Sequence, residues 1–388
     1  MITSFKTEGL GVGFDFDIEL EKDKQIYCFI GKNGIGKTQL LENMAKILIA
    51  SHSIFKYEKN AKPEYVDFYD GNNILFDKLS SFTIKIPIHF EINKIKPLKI
   101  KSPQIPFMDM VNFRCDKPIV FIGAKNRGFT KNIDTNNIKV LSDNLNRFID
   151  SFKRTLKYIN GEGLEQEEIA DWFASRLIIN PNFITTNQNK IYEATTVLKL
   201  IDRLEPTINL ITKNEDGSEK PNISFHEGKL LINGIPLDKL STGYVSIIKI
   251  FQEIVAGYSG WTIEENLNEV DGIVFIDELE PHLHISWQTK IIGILREFFP
   301  KTTFFISTHS PLVLAGLKSG EGYELIRDGN TVKAKAIDNI ENYFLNDIVK
   351  EFFDVDLNRE RIAHIDKERQ KKAKLMLLNL TKNIPEDE

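Results

Sequence analysis

Residues 31–38 read Gly31-Lys32-Asn33-Gly34-Ile35-Gly36-Lys37-Thr38, which fills every fixed position of the spacing G-x-x-x-x-G-K-[ST]. That spacing suits phosphate. Glycines let the backbone curl so that successive N–H groups face one point, and the N-terminus of a following helix adds its positive dipole end. Lys37 then supplies charge opposite the β- and γ-phosphates of a nucleotide, and the Thr38 hydroxyl becomes a ligand for Mg²⁺. Gly31, Asn33, Gly34, Gly36 and Gln39 complete the expected nucleotide-binding set.

Downstream, Gly272-Ile273-Val274-Phe275-Ile276-Asp277-Glu278 is an apolar run that ends on two adjacent carboxylates. At the carboxyl edge of a parallel sheet, Asp277 would hold Mg²⁺ directly or through water. Glu278 would orient or deprotonate an attacking water. The plainer alternative is a strand followed by the acidic start of a helix. A second apolar run, Thr303-Phe304-Phe305-Ile306, leads into Ser307-Thr308-His309-Ser310-Pro311. His309 is placed to contact a γ-phosphate or the attacking water, although a lone histidine is more often a capping or structural residue. Between these runs and the glycine-rich loop stands Leu240-Ser241-Thr242-Gly243-Tyr244, ahead of an apolar helix. By itself it reads as an N-cap serine and a turn glycine.

These residues need elements to carry them. The continuously apolar Gln25–Ile30 predicts a buried central strand before the loop. After the loop, Leu40, Leu41, Met44, Ala45 and Leu48 recur at helical spacing. Strand, glycine-rich turn and helix form the context a phosphate-binding loop requires. Further along, Phe82, Ile84, Ile86, Ile88, Phe90 and Ile92 alternate with polar residues, which predicts one half-buried strand, placed at a sheet edge by Pro87. The stretch from Leu141 to about Leu210 reads helical, with one apolar stripe through Leu145, Ile149, Phe152 and Leu156 and another through Leu198, Ile201 and Leu204. It is too short for a long coiled coil. Hairpins are expected over 223–232 and 323–337, and a charged helix over 359–374, solvated by default. Leu375, Met376, Leu377, Leu378 and Leu380 leave that last segment an apolar patch that would serve for docking.

Composition narrows the class. The chain has 388 residues, mixed charge and a formal net charge of -5, so extensive disorder is unexpected and DNA is an open partner without being favoured. Two cysteines, Cys28 and Cys115, show no metal-ligand spacing, fit a reducing compartment and read as small core residues. His282-x-His284 lacks the other spaced ligands a zinc site needs. No export signal or membrane span is legible, which predicts a cytoplasmic protein without a membrane partner in this chain.

In order and separation, these motifs resemble those of ABC-type ATPases. Gly31–Thr38 resembles a Walker A motif, Leu240–Tyr244 an ABC signature, Gly272–Glu278 a Walker B motif with its catalytic glutamate, and His309 the switch histidine. The runs Asp277-Glu278-Leu279-Glu280-Pro281-His282-Leu283-His284 and Ser307–Pro311 are most similar to the soluble SMC/RecF/OLD-like branch, which includes ATPase subunits of bacterial antiphage systems such as Septu and PARIS. The resemblance implies an α/β fold: an ABC ATPase head with a mainly parallel central sheet, an antiparallel β lobe and a helical insertion. It implies ATP and Mg²⁺ as cofactors, Glu278 and His309 as catalytic residues, and Thr38 and Asp277 at the metal. Ser241 and Gly243 would act in trans across a homodimer or higher homo-oligomer. The expected division is 1–58 and 223–345 for the core, 59–222 for β lobe and insertion, and 346–388 for a C-terminal helical segment.

Three departures accompany the resemblance. Thr242 stands where ABC transporters usually have glycine. The Q-loop is ambiguous between Gln104 and the strand 118–122 with its loop Gly123-Ala124-Lys125-Asn126-Arg127-Gly128. The sequence after His309 is too short for the TOPRIM nuclease of OLD proteins. Function therefore reads as an ATP-driven switch with its effector, a nuclease, on another chain. The rivals are a RecF-like DNA-repair ATPase, a non-hydrolysing ATP-sensing scaffold and, more distantly, a transporter subunit.

Overall fold

The computed structural model describes residues 2–8, 13–52, 84–85, 89–94, 104–105, 115–124, 127–128, 130, 141, 144–159, 168–178, 190–214, 217, 219–262, 266–353 and 372. They fall into two compact units, 1–341 and 342–388.

The first unit is built on strands β1 (Ser4–Glu8), β2 (Asp15–Glu19), β3 (Ile26–Ile30), β4 (Ile84–Lys85), β5 (His89–Ile92), β6 (Gln104–Ile105), β7 (Ile119–Ile122), β8 (Ile211–Lys213), β9 (Glu219–Pro221), β10 (Ile223–His226), β11 (Lys229–Ile232), β12 (Ile235–Pro236), β13 (Ile273–Ile276), β14 (Thr303–Ser307), β15 (Gly322–Asp328) and β16 (Thr331–Ala336). Its described helices are α1 (Lys37–Ala50), α2 (Asn144–Ile159), α3 (Ile169–Leu177), α4 (Ile191–Leu204), α5 (Thr242–Trp261), α6 (Ile285–Phe298) and α7 (Pro311–Leu314). In the second unit, α8 (Leu345–Phe353) is helical, and the charged and apolar run expected over 359–380 lies outside the described residues save 372.

One sheet organises the first unit. Its order is β5-β1-β2-β16-β15-β3-β14-β13-β7, and its five consecutive strands from β15 to β7 are mutually parallel. Strands β5, β1 and β2 pair antiparallel at the other end, so the mainly parallel α/β architecture with an antiparallel β portion is what the chain adopts. Every residue of β3, β7, β13 and β14 is buried, as strands covered on both faces must be. An aromatic ladder runs across them. Tyr27 stacks on Phe305 at 5.0 Å, Phe305 on Phe275 at 5.1 Å, and Phe275 on Phe121 at 5.9 Å between ring centroids. These four rings are also register partners, so a slip of one residue would turn each ring to the opposite face.

Strands β5 and β7, from between residues 59 and 222, form the two edges of this sheet. The single strand expected over 82–92 is instead two. Ile84–Lys85 pairs with Gln104–Ile105 in a separate sheet, whereas His89–Ile92 joins β1. Alternation alone cannot separate them, because a period of two is the same in either sheet. Pro87 lies outside the described residues.

The helices cover this sheet as their apolar stripes require. Leu40, Leu41, Met44, Ala45 and Leu48 of α1 are buried, as are Ile149, Phe152 and Leu156 of α2 and Leu198, Ile201 and Leu204 of α4. Helix α5 is buried almost throughout and packs against α2, α4 and β7. The hairpin β10–β11 turns through Glu227 and Gly228, both with positive φ (49° and 73°), the geometry a two-residue turn demands. Cys28 and Cys115 are both buried and free.

Candidate nucleotide site

Because β3, β14 and β13 run parallel in register, their carboxyl ends open on one edge of the sheet. That edge collects Gly31–Thr38 after β3, Asp277 and Glu278 after β13, and Thr308 and His309 after β14. Ligands of open parallel sheets bind at such an edge.

The loop has the backbone its sequence calls for. Gly31, Gly34 and Gly36 all adopt positive φ (149°, 75° and 100°), and a Cβ at Gly36 would lie 2.8 Å from the Phe14 ring. Gly36 caps α1 without any side-chain hydrogen bond, so the first turn of that helix keeps donors for an anion. Lys37 Nζ donates to the carbonyls of Gly31 (2.8 Å) and Lys32 (3.3 Å). Burial pushes its pKa down to about 8, against the opposing pull of Glu278, Glu280 and Asp277. Asn33 is exposed on the loop. Gln39 Oε1 accepts from the Phe14 backbone N–H at 3.2 Å, which ties α1 to the start of β2.

Thr38 Oγ1 donates to both oxygens of Asp277, at 3.0 and 2.9 Å. Ser307 Oγ donates to Asp277 Oδ1 at 2.6 Å and accepts from the Glu278 backbone N–H at 2.7 Å. A hydroxyl and a buried carboxylate offer only hard oxygen donors, the type that suits Mg²⁺. These residues therefore fit the metal: Thr38 and Asp277 would hold it, and bound there it would neutralise phosphate charge.

Glu278 sits at φ 47°, in the left-handed region, which for a residue with a side chain costs about 1–3 kcal/mol and persists only where neighbours enforce it. Ser307 holds its N–H, and the buried Arg127 guanidinium donates to its carbonyl. Its carboxylate makes no hydrogen bond among the described residues, and its charge reaches both Lys37 and His309. His309 is half-buried; burial and then Lys37 lower its pKa, while Glu280, Glu278 and Asp277 raise it.

Of the two Q-loop candidates, Gln104 lies in β6, paired with β4. The rival strand is β7, which pairs with β13 and delivers Arg127 to Glu278. Ser307, Glu280 and Arg127 were not among the expected site residues. Only the adjacency of β14 and β7 to β13 places Ser307 and Arg127, and only the contact with Thr308 and His309 singles out Glu280.

At the signature-like segment, Ser241 does cap α5, its Oγ accepting from Tyr244 N at 3.3 Å. Ser241 itself is exposed. Gly243 is buried against the loop after β13, where a Cβ would lie 2.2 Å from the His282 carbonyl oxygen. Ser246 Oγ donates to Pro281 O at 3.2 Å, fastening α5 to the same loop. Tyr244 meets Trp287 edge-on at 5.6 Å, and the Trp287 indole N–H donates to Glu205, at the end of α4, at 3.1 Å.

Residues 1–314 match a family model described as AAA ATPase domain. The Septu protein PtuA of Bacillus thuringiensis is 21% identical over 361 residues, 91% of this chain and 83% of that protein. The Septu protein PtuA of Bacillus mycoides (strain KBAB4) is 41% identical over 86 residues, 22% of this chain and 12% of that protein. The Retron Vc95 probable ATPase of Vibrio cholerae serotype O1 biovar El Tor is 28% identical over 188 residues, 47% of this chain and 35% of that protein. The chain thus spans very different shares of the relatives it matches. Among solved structures, an SMC head bound to the C-winged helix domain of ScpA aligns over 87% of this chain and 97% of that one, at 10% identity and a TM-score of 0.41.

Proposed function

Because the chain belongs to the AAA ATPase domain family, with a Septu PtuA and a retron ATPase among its relatives, we propose that it binds and hydrolyses ATP with Mg²⁺ as a cytoplasmic switch in antiphage defence. Nucleotide joins two copies, hydrolysis parts them, and the change controls an effector, a nuclease, on a separate chain.

Each role follows from chemistry at the sheet edge. Gly31, Asn33, Gly34 and Gly36 present the loop, Lys37 compensates β- and γ-phosphate charge, and Gln39 steadies the loop's helix against Phe14. Thr38 and Asp277 would hold Mg²⁺, which would neutralise phosphate charge there. Glu278 orients the attacking water and takes its proton, and His309 contacts the γ-phosphate. Ser241 and Gly243 of a second copy cover the nucleotide. Residues 1–58 and 223–345 form the ATPase core, 59–222 the β lobe and insertion, and 346–388 a C-terminal segment that transmits the change. Among the described residues no helix is long and apolar enough to cross a membrane.

The observation that carries this reading is Glu278, a strained carboxylate whose backbone is gripped by Ser307 and Arg127 while its side chain faces Lys37 and His309. Glu278→Gln keeps the shape and removes the base. Turnover is expected to fall about 10²-fold or more with ATP binding retained, since positioned acid–base groups contribute about 10²–10⁴. Light scattering of the variant with ATP and Mg²⁺ is expected to show dimers or larger assemblies. Near-normal phosphate release rejects the catalytic role; lost hydrolysis with a monomer at every ATP concentration rejects the nucleotide-joined pair. Turnover that requires DNA, with a steep salt dependence, would instead favour a DNA-clamping ATPase.

A further inference from the structure

The loop after β13 and the loop after β14 are joined by one side chain. Glu280 Oε1 accepts from the His309 backbone N–H at 2.7 Å, and Glu280 Oε2 accepts from Thr308 Oγ1 at 2.5 Å. Thr308 Oγ1 in turn accepts from Ser310 N at 3.0 Å, Ser310 Oγ donates to Gln288 Oε1 at 2.5 Å, and Gln288 Nε2 donates to Leu283 O at 2.9 Å. The chain of bonds closes a ring between the two loops. Leu279 N also donates to Ser307 O at 3.0 Å, so the segment that carries Glu280 is pinned beside β14.

We infer that Glu280 is a positioning residue for the γ-phosphate contact: its carboxylate accepts from the His309 backbone N–H and from the Thr308 hydroxyl, and so sets where the His309 imidazole stands. The inference rests on the ATPase reading above. Two charge-assisted bonds from one carboxylate fix both position and orientation. Among the described residues no other carboxylate at this edge makes these two bonds: Asp277 is held by Thr38 and Ser307, and the Glu278 carboxylate makes no hydrogen bond. The same loop carries His282 and Pro281, on which Gly243 and Ser246 of α5 rest. A displacement of His309 is therefore passed through Glu280 to the segment that supports the signature-like turn.

The test compares wild type, Glu280→Ala and Glu280→Gln as full chains. In Glu280→Gln the amide oxygen still accepts from His309 N and the amide nitrogen donates to Thr308 Oγ1, whereas Glu280→Ala loses both bonds. Glu280→Ala is expected to lower kcat by about 10²-fold, the scale of a misplacement of about 1 Å in a catalytic group, with KM for ATP and the Kd for ADP nearly unchanged. Glu280→Gln is expected to recover at least half of that loss on a logarithmic scale. A second readout uses nucleotide-free protein. The His309 imidazole, followed by NMR on histidine-labelled protein and assigned with His309→Asn, faces Lys37, Glu280, Glu278 and Asp277. Removing the Glu280 charge in either variant is expected to lower its pKa further, because that carboxylate raises it. Unchanged kcat in Glu280→Ala, equal losses of kcat and ADP affinity, or an unmoved His309 titration overturns the inference. If wild type itself does not hydrolyse ATP, the ATPase reading fails and the titration alone decides whether Glu280 governs His309.

Discussion

The Thr38 hydroxyl donates to both oxygens of the Asp277 carboxylate, at 3.0 and 2.9 Å, across 239 residues of chain. The contact brings the last residue of the glycine-rich loop to the end of a strand two places away in the sheet. A hydroxyl and a carboxylate at this separation form one oxygen face for a hard cation. Asp277→Asn keeps the shape and removes the charge. ATP affinity in Mg²⁺ is expected to fall at least about tenfold and to lose its dependence on Mg²⁺, since the carboxylate is the charged ligand in sites of this kind. Calorimetry with Mg²⁺ and with chelator checks it, and an undiminished response to Mg²⁺ would reject the assignment.

Lys37 gives the site a pH dependence. Its pKa in the nucleotide-free protein is pushed down to about 8, and the negative phosphates of a nucleotide raise it again. Binding therefore takes up a proton as pH rises past about 8, and affinity is greatest below that pH and weakens above it. Calorimetry at pH 8.5, a value chosen about half a unit above that pKa, in buffers of different ionisation enthalpy is expected to show proton uptake. Lys37→Ala is expected to abolish both the uptake and productive ATP binding; wild-type affinity in this variant would remove Lys37 from the phosphate site.

His309 separates sensing from support. If it contacts the γ-phosphate, His309→Ala slows hydrolysis much more than it weakens ADP binding, because ADP lacks the group that is contacted. A loss of about 10²-fold in turnover is expected for a positioned acid–base group. Equal losses for ATP turnover and ADP affinity would mark a structural histidine.

Where α2, α3 and α4 meet, Glu193 is fully buried between Arg147 at 2.5 Å and Arg176 at 2.7 Å. Burial alone would raise the Glu193 pKa, but Arg176 and Arg147 hold it below the usual carboxylate range. Its contribution to stability is thus present above the ordinary carboxylate pKa and is lost as pH falls through the depressed value. Glu193→Ala leaves two buried guanidinium groups without their carboxylate and is expected to cost about 3–5 kcal/mol. Urea unfolding near neutral pH measures it; a change within error would mean that the arginines find other partners.

The residues gathered at this sheet edge were largely legible in the chain, because their motifs are local. Gly31–Thr38 needs only a strand before it and a helix after it, and both β3 and α1 stand where apolar spacing put them. Asp277 and His309 could be found at strand ends for the same reason, since a buried parallel strand is a short continuous apolar run. Other features depended on neighbours that the sequence holds far apart. The expected strand over 82–92 divided between two sheets, since alternation carries no information about pairing partners. Arg127 touches Glu278 only because β7 lies beside β13, Ser307 reaches Asp277 only because β14 lies on its other side, and Glu280 meets His309 only where the two loops fold together. Local periodicity and turn chemistry decide what a segment is, and so the sequence by itself determined the loop, the carboxylates and the strands that end on them. Strand order and register are decided by packing between distant segments, here by the aromatic ladder from Tyr27 to Phe121, and only that tertiary choice determined which side chains hold Asp277, Glu278 and His309 in place.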